Sequence, residues 1–585
     1  MKKETDDIRL LELAVSRRRV LAAGTFIGLS TVGSMLLAAC GGDDDDDDDE
    51  GAADPTQPPA SGGDATEAEA TEAEEDEEEE GAEEPTTAET AEEGEEEEDE
   101  EPTEAEESSG EPTALTVGLG TEPIEMDPHR LTANIDRQIQ RSVFSGLTRW
   151  DLNMDPQPDV AASWEVSDDG LTWTFQLRED VTFHNGRGLV ADDVKFSIER
   201  IKEIGPGGKY ATYITDVDTV EVIDDYTVQF NMLAPSGVLL NNLKVCSIVP
   251  QEEADNLSAH PVGSGPFVFV ERVPNQHIRL SKYANYHGEW VVDYVDELTL
   301  TPATEEQTRI ANLQTGDIDY SLAVPSPRIE EVSSMDNIEL VSPHPGSAAF
   351  TWLLMHNQRP PFNDINARLA VSWGTDREAL LQAIYRGHGE AHWNPFPRDH
   401  WAYAADIEGP EYDLDRAREY LEMSSYNGEE IVFKIFTTGQ WVEYGELMHA
   451  MLLDIGFNVK LEQLEFATWI EQVYQNHDFQ IAQTSTAREW DPDGLTISCL
   501  ATGGSNNPGE YSNPEMDAAF ERGRQAVDIE ERKAAYRIVQ EIYAREQPHV
   551  KAININSVGA YRTDVIAEIN RDALGLTQFE YVSLK

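Results

Sequence analysis

The sequence predicts a mixed α/β fold built from more than one domain. Residues 114–585 make up 472 of the chain's 585 residues, and a single hydrophobic core rarely grows beyond about 250–300 residues. Alternating apolar residues, typical of strands, and apolar residues at helical spacing follow one another along this whole stretch. Such a mixture is typical of folds that combine sheets with helices.

The first part of this region is predicted to be rich in strands. Leu115, Val117 and Leu119 alternate with other residues and predict the first strand, and apolar spacing predicts a helix within residues 134–147. Residues 164–166 and 171–177 flank a Ser-Asp-Asp-Gly turn, which predicts a β-hairpin. The other elements predicted here are a helix at 192–200 and strands at 217–223, 227–233 and 267–270.

The second part is predicted to be richer in helices. Residues 375–378 (Thr-Asp-Arg-Glu) have the form of a capping box and open a helix that ends near Gly387. Three further helices are predicted at residues 414–421, at 443–455 before Gly456, and at 529–546 before Pro548.

The charge balance excludes several classes of partner. The chain carries 114 acidic and 42 basic residues, a net charge of -72, and residues 114–585 alone hold 74 acidic and 36 basic residues. Nucleic-acid binding through phosphates needs a basic face, and adherence to anionic lipids needs a basic patch. We therefore expect no nucleic-acid partner.

The first forty residues have the pattern of an export signal. Basic residues up to Arg19 precede an apolar run at 20–37, which ends in Leu-Ala-Ala-Cys at residues 37–40. These four residues resemble the lipobox of bacterial lipoproteins, and residues 16–21 resemble a twin-arginine signal. The resemblance implies that Cys40 is a lipid anchor and that the mature chain is extracytoplasmic, on the outer face of the cytoplasmic membrane. The alternative is a permanent membrane-spanning helix, for which about 20 apolar residues would suffice.

Residues 41–113 are predicted to be a disordered acidic tether. They contain 36 carboxylates, no Lys or Arg, and no aromatic residue, Ile, Leu or Val. Such a segment cannot bury enough apolar area to offset its chain entropy, and its charges repel one another. Loose binding of divalent cations is the alternative function.

The sequence contains no motif that specifies a catalytic or metal site. Residues 205–210 lack the spacing of a P-loop, and Gly-Ser-Gly at 263–265 is too short for a nucleophile elbow. His388 and His392 are four residues apart without the glutamate position of a zinc protease, so surface or packing roles are expected. Cys246 and Cys499 are expected to be free, buried thiols. We therefore expect a protein that is not an enzyme and has no cofactor or metal.

A series of motifs supplies a family resemblance. They lie at residues 143–150 (VFSGLTRW), 158–175 (PDVAASWEVSDDGLTWTF), 181–186 (VTFHNG), 191–197 (ADDVKFS), 263–267 (GSGPF), 313–319 (LQTGDID), 361–364 (PFND) and 513–517 (NPEMD). This set closely resembles the family 5 extracellular solute-binding proteins, the peptide, nickel and oligosaccharide receptors of ABC importers. The resemblance covers essentially all of residues 114–585.

The resemblance implies a two-lobed fold like that of periplasmic binding proteins, of the large type with an extra subdomain on lobe I. Lobe I is expected at residues 114–153, 265–355 and 551–585, the inserted subdomain at 154–264, and lobe II at 356–550. Two hinge segments, near residues 355–357 and 550–555, are expected to join the lobes. Closure of the lobes around a ligand would provide the signal to the transporter.

The resemblance also directs attention to one loop of lobe II. In peptide receptors of this family, an aspartate ahead of an Asp-Pro element pairs with the α-amino group of the ligand. Alignment on Asp491-Pro492 puts Arg488 at that position, and a guanidinium repels an ammonium but suits a carboxylate or phosphate. Alternatively, Arg488 pairs with Glu489 or Asp491 and braces the loop.

Aromatic residues near this loop are further candidates, since their faces suit peptides, sugars and cations, although core packing is an open alternative. The residues expected to bind ligand are Glu122, Trp401, Thr484, Ser485, Arg488, Trp490 and Asp491.

These features predict a monomeric, lipid-anchored receptor that captures a small ligand, a peptide in the first instance, and delivers it to an ABC permease. The alternatives are a receptor of the same fold for an oligosaccharide, an anionic solute or a metal complex, and a surface scaffold or sensor lipoprotein without transport.

Overall fold

The computed structural model describes residues 113–585 except 132, 134, 206–207, 209, 292–293, 344–348, 438 and 488–489. The predicted signal peptide, Cys40 and nearly all of the predicted tether lie outside the described residues, and so does Arg488. None of the helices in the described ranges is long and apolar enough to cross a membrane.

Strands occur along the whole described part of the chain. They are β1 (Ala114–Leu119), β2 (Thr148–Trp150), β3 (Pro156–Pro158), β4 (Ala161–Val166), β5 (Thr172–Leu177), β6 (Val217–Asp224), β7 (Thr227–Met232), β8 (Phe267–Val273), β9 (His277–Lys282), β10 (Glu297–Pro302), β11 (Tyr320–Ser321), β12 (Ile338–Val341), β13 (Ala349–Met355), β14 (Gly389–Ala391), β15 (Ile431–Phe436), β16 (Val459–Leu464), β17 (Ile481–Ala487), β18 (His549–Ile555), β19 (Gly559–Arg562), β20 (Ile566–Glu568) and β21 (Ser583–Leu584).

Helices are concentrated in the second half of the chain. They are α1 (Asp136–Val143), α2 (Ala191–Ile204), α3 (Leu239–Leu243), α4 (Glu306–Thr315), α5 (Ile329–Ser333), α6 (Ile365–Trp373), α7 (Arg377–Tyr385), α8 (Leu414–Met423), α9 (Gln440–Ile455), α10 (Phe466–Trp469), α11 (Pro492–Leu495), α12 (Ile497–Leu500), α13 (Pro514–Gln525) and α14 (Ile529–Glu546).

Three sheets organise the molecule. A seven-stranded sheet has the order β12-β19-β11-β1-β10-β9-β8, a six-stranded sheet has the order β14-β18-β13-β17-β15-β16, and a four-stranded antiparallel sheet has the order β4-β5-β7-β6. In both larger sheets parallel and antiparallel pairs coexist. The mixed α/β prediction agrees with this architecture.

The predicted elements are found with small shifts at their ends. The helix at 529–546 coincides with α14, and the predicted hairpin is the β4–β5 pair, with Gly170 at φ +70° in its turn. The helix within 134–147 is shorter than predicted, because Phe144 takes an extended conformation after Val143. Cys246 and Cys499 are buried thiols that form no disulfide, as predicted.

The apolar side chains form two main clusters. Leu115, Leu298 and Phe267 belong to the cluster of the seven-stranded sheet. The second cluster is continuous from Phe175 in the four-stranded sheet to Trp352 in the six-stranded sheet. The predicted inserted subdomain (residues 154–264), called the inserted region below, is therefore linked by apolar contacts to the six-stranded sheet.

The path of β13 bears on the domain boundaries predicted above. Ala349–Met355 pairs with β17 and β18 inside the six-stranded sheet, so the chain has entered this sheet before residue 356. β18 (His549–Ile555) lies beside β13 in the same sheet, beyond the boundary expected at residue 550. We therefore propose that the hinge segments precede Ala349 and follow Ile555, with the other boundaries as predicted.

Loss of the N-cap of α8 is expected to lower the free energy of unfolding modestly. The Asp413 carboxylate accepts a hydrogen bond from the Arg416 backbone N–H at 2.9 Å, so Asp413→Ala should cost about 1 kcal/mol in urea unfolding. Asp415 is a matched control on the same turn, with its side chain 96% exposed, and Asp415→Ala should change stability by less than about 0.5 kcal/mol. Equal effects of the two variants would contradict the capping role.

Candidate ligand-binding site

A buried ion pair fixes the loop after β17. Asp491 is the N-cap of α11, where its side chain accepts from the Asp493 backbone N–H at 3.0 Å. Its two oxygens also accept from the Arg532 guanidinium of α14 at 2.8 and 2.9 Å. The two side chains are only 6% and 3% exposed. This bidentate pair therefore holds the loop against α14 with fixed geometry.

Aromatic rings surround the ion pair. His400 lies 4.6 Å from the Trp490 ring and 5.4 Å from the Trp401 ring, centroid to centroid. The Arg532 guanidinium carbon lies 4.9 Å from the centroid of the Trp401 ring, a cation–π contact. We name His400, Trp401, Trp490, Asp491 and Arg532 the aromatic–ionic cluster.

The hydrogen bonds of His400 define its tautomer. Nε2 lies 2.7 Å from the Trp490 carbonyl oxygen, which can only accept, and Nδ1 accepts from the Ala402 backbone N–H at 3.0 Å. The ring is therefore neutral, with its hydrogen on Nε2. Burial lowers the pKa of His400 to about 4, which agrees with this assignment.

The cluster lies where the inserted region meets the segment that carries α11, α13 and α14. We call this zone of contact the seam. The Asn241 amide of α3 donates to Asp491 at 3.1 Å and accepts from the Trp150 indole at 3.1 Å. Nearby, the Gly237 backbone N–H donates to the Arg524 carbonyl at 2.7 Å, and the Arg524 guanidinium lies 3.4 Å from the Asp216 carboxylate. Segments predicted to belong to different domains thus meet here through polar contacts.

A cavity of about 610 Å³ is lined by residues from both sides of the seam. Its volume is suited to a small ligand. Thr212 lines it from the inserted region, and residues 502–512 line most of the rest. The His477 ring and the Glu510 carboxylate are paired at 2.8 Å in its wall. Hydroxyl, amide and charged groups thus face a ligand-sized space.

The structure brings together three of the predicted site residues: Trp401, Trp490 and Asp491. Thr484 and Ser485 lie on β17; Thr484 is fully buried, 3.4 Å from the Tyr474 hydroxyl, and Ser485 is half-buried. Glu122 lies beside the other large sheet, where the β8 residue Arg272 donates to its carboxylate at 3.0 Å. Contact with ligand remains a prediction for all of them, as it does for Arg488.

Sequence reasoning missed Arg532, His400 and Asn241. A signal for Arg532 was present, since it shares one face of α14 with Ala535, Tyr536 and Val539, all buried. An arginine within an apolar stripe indicates a buried anionic partner. No local pattern identifies Asn241, whose partner is 250 residues away.

Acidification is expected to destabilise the folded chain partly through His400. The pKa of His400 is about 4 in the folded state and about 6.5 in the unfolded state. Between these two pH values the unfolded state binds more protons, so the free energy of unfolding falls as the pH falls from about 6.5 to about 4. His400→Gln keeps an N–H donor for the Trp490 carbonyl without this titration. Between pH 7 and pH 5 it should therefore lose about 2 kcal/mol less stability than the wild type.

Urea unfolding at pH 5, 6, 7 and 8 measures this difference. Wild type and variant should change nearly in parallel between pH 7 and pH 8, where the imidazole is neutral in the folded state and mostly neutral in the unfolded state. A parallel loss between pH 7 and pH 5 as well would contradict the role of His400.

Comparisons with known proteins agree on one family. The model of the family "Bacterial extracellular solute-binding proteins, family 5 Middle" matches residues 155–507. The heme-binding protein A of Haemophilus influenzae is 27% identical over 439 residues, which cover 68% of this chain and 78% of that protein. The di/tripeptide-binding protein 1 of Pseudomonas aeruginosa is 26% identical over 506 residues, 79% of this chain and 92% of that protein.

Solved structures confirm the predicted fold class, a two-lobed α/β binding protein. HbpA2 from Haemophilus parasuis superposes with a TM-score of 0.73 at 24% identity, over 81% of this chain and all of that chain. The periplasmic binding protein DppA from Helicobacter pylori, in complex with the peptide STSA, superposes with a TM-score of 0.65 at 26% identity, over 80% of this chain and 98% of that chain.

Proposed function

Because the chain belongs to the bacterial extracellular solute-binding proteins of family 5, we propose that it captures a small ligand, most readily a peptide, between its two lobes and delivers it to an ABC permease. A role as a solute-binding receptor of an ABC importer follows from the family. The peptide ligand, the lipid anchor and the delivery step are our proposal.

The seam between the inserted region and α13–α14 carries the proposal. The contacts of Asp491 with Asn241 and of Arg524 with Asp216 are polar. Opening of the lobes would break these contacts together with the apolar contacts that continue the second cluster across the seam. A ligand held between the lobes would favour the closed state by its differential affinity for it. A permease that recognises the closed state would then distinguish loaded from empty receptor.

Two relatives support peptide as the first ligand class to test, the di/tripeptide-binding protein and the peptide-bound DppA. The heme-binding relative and the predicted position of Arg488 keep metal complexes and anionic solutes as alternatives. Oligosaccharides, and a scaffold or sensor role without transport, are further alternatives.

A thermal-shift screen of the full-length chain tests ligand capture. The panel contains di- to hexapeptides, oligosaccharides and nickel complexes; a ligand at about 100 times its Kd should stabilise the protein by about 2.7 kcal/mol and raise Tm by at least a degree. A peptide that raises Tm equally in wild type and Arg488→Ala would make Arg488 a brace of the loop. A response confined to acidic ligands and lost in Arg488→Ala would make it the anchor of the ligand and refute the peptide proposal.

Cys40 is proposed to anchor the mature chain to the outer face of the cytoplasmic membrane. Cys40→Ser should shift the exported protein from the membrane fraction to the soluble fraction of fractionated cells. Cys246→Ser is the matched control, because that thiol is buried in the fold. Membrane association of both variants would contradict the anchor.

A further inference from the structure

Two small cavities adjoin each other beside α1. Each has a volume of about 20 Å³, which gives room for a water molecule or a single small ion. They share four lining residues, Arg141, Phe144, Trp150 and Lys244. We name the one that also touches Leu574 and Leu576 the inner cavity and the one that also touches Asp159 and Glu580 the outer cavity.

The helix α1 directs cationic groups inward. All eight of its residues are buried, and Arg137, Gln140 and Arg141 share the face that lines the inner cavity. Arg141 is only 5% exposed at its side chain. Its Nη1 pairs with the Asp572 carboxylate, while Nη2 is fully buried with no hydrogen-bond partner in the described part of the chain. An unsatisfied guanidinium N–H at such a position requires an acceptor.

Lys244 adds a second cation to the same place. It follows α3 directly and is half-buried. The described residues offer no hydrogen bond or ion pair to its ammonium within normal distances. Burial, together with the charge of Arg141, lowers the pKa of Lys244 to about 8, although the charges of Asp159, Glu580 and Asp572 act in the opposite direction.

The neighbouring acids do not balance these charges in the inner cavity. Asp159 is paired with His287 at 2.7 Å, and Asp572 is already bound to Arg141. Glu580 lines only the outer cavity, and burial raises its pKa. No carboxylate is among the residues that line the inner cavity, although the folded region holds twice as many acidic as basic residues.

A hydroxyl completes the set of donors. The Ser247 Oγ accepts from the Gln140 amide at 2.9 Å, which leaves its own hydrogen available to donate. Apolar side chains, Phe144, Trp150, Val245, Leu574 and Leu576, form the rest of the wall. Such walls exclude water and strengthen the attraction between the cations and an anion.

We propose that the inner cavity binds one small monovalent anion of halide size, held by Arg141 Nη2, the Lys244 ammonium and the Ser247 hydroxyl. The volume excludes phosphate and sulfate, which carry several oxygens. The anion would lie between α1, the segment after α3 and the segment at residues 572–578. The site does not depend on the proposed transport function.

Thermal unfolding of the full-length chain in different sodium salts at equal ionic strength tests this site. Chloride and bromide should raise Tm in a saturable way, by about 1–3 °C at saturation, relative to gluconate, which is too large to enter. Because the readout needs no transported ligand, failure here leaves the receptor function unaffected.

Lys244→Met should remove the difference between chloride and gluconate. Lys195→Met is the control, since the Lys195 side chain is 41% exposed and its one ion pair among the described residues is with Glu199 on α2. This variant should keep the difference. As a second measurement, the ³⁵Cl NMR line should broaden with wild-type protein and with Lys195→Met but not with Lys244→Met. Equal Tm values in chloride and gluconate with an unbroadened ³⁵Cl line, or a full chloride response in Lys244→Met, would overturn the proposal.

Discussion

Replacing Arg532 with methionine is expected to lower the free energy of unfolding by about 3–5 kcal/mol, because the variant leaves the Asp491 carboxylate buried without its counter-ion. The pair is bidentate and nearly inaccessible to water. Arg532 also donates to the Gly523 carbonyl at 2.9 Å and stacks on Trp401, so methionine would remove three kinds of contact at once.

Arg537 is a matched control on the same helix. It pairs with Asp406 through two hydrogen bonds of 2.6 and 2.8 Å, but both side chains are exposed. Exposed ion pairs contribute little to stability, so Arg537→Met should behave nearly as wild type in urea unfolding. The double variant Asp491→Asn with Arg532→Met should recover part of the loss, because the orphaned charge is gone. Similar stabilities of Arg532→Met and Arg537→Met would contradict the structural role of the buried pair.

Replacing Gly237 with alanine is expected to weaken ligand binding by about ten- to hundredfold. A Cβ at this position would lie 1.8 Å from the Ala526 carbonyl oxygen, across the seam. The Cβ is fixed directly to the backbone at residue 237 and the oxygen it meets is a backbone atom. The two segments must therefore separate to make room. The closed state would then be destabilised relative to the open state, and the apparent Kd of the ligand found in the thermal-shift screen would rise.

Gly188 provides the control for this variant. It belongs to the same inserted region, and a Cβ there would meet no atom within 4 Å, so Gly188→Ala should bind ligand as wild type does. Titration calorimetry with the same ligand measures both. An unchanged Kd in Gly237→Ala would contradict a role of this seam in ligand-induced closure.

Much of the secondary structure could be predicted because its signals are local. Asp528 caps α14 through the backbone N–H groups of Glu530 and Glu531, and Gly456 ends α9 with φ +119°. Such caps and turns are specified by residues a few positions apart. The boundary at Val143 was missed because it depends on a distant residue: the Val143 carbonyl accepts from the Gly265 backbone N–H at 2.9 Å.

The candidate site could be predicted only in part, because its contacts join distant residues. Trp490 and Asp491 were identified through a resemblance, whereas their partners His400 and Arg532 are 90 and 41 residues away in sequence. Burial and pairing of this kind depend on how the sheets and α14 pack. The sequence pattern also could not reveal that Asn241, in the inserted region, donates to the same carboxylate.

Distance measurement across the seam tests the central claim most directly, namely that this receptor closes on its ligand. Spin labels at Asp218→Cys and Glu521→Cys would stand on exposed positions of the inserted region and α13, and the native thiols of Cys246 and Cys499 are buried. In the full-length chain with Cys40→Ser, a ligand that raises Tm should shift the distance distribution from a broad set of longer distances to one short distance. The same distribution with and without that ligand would contradict the account.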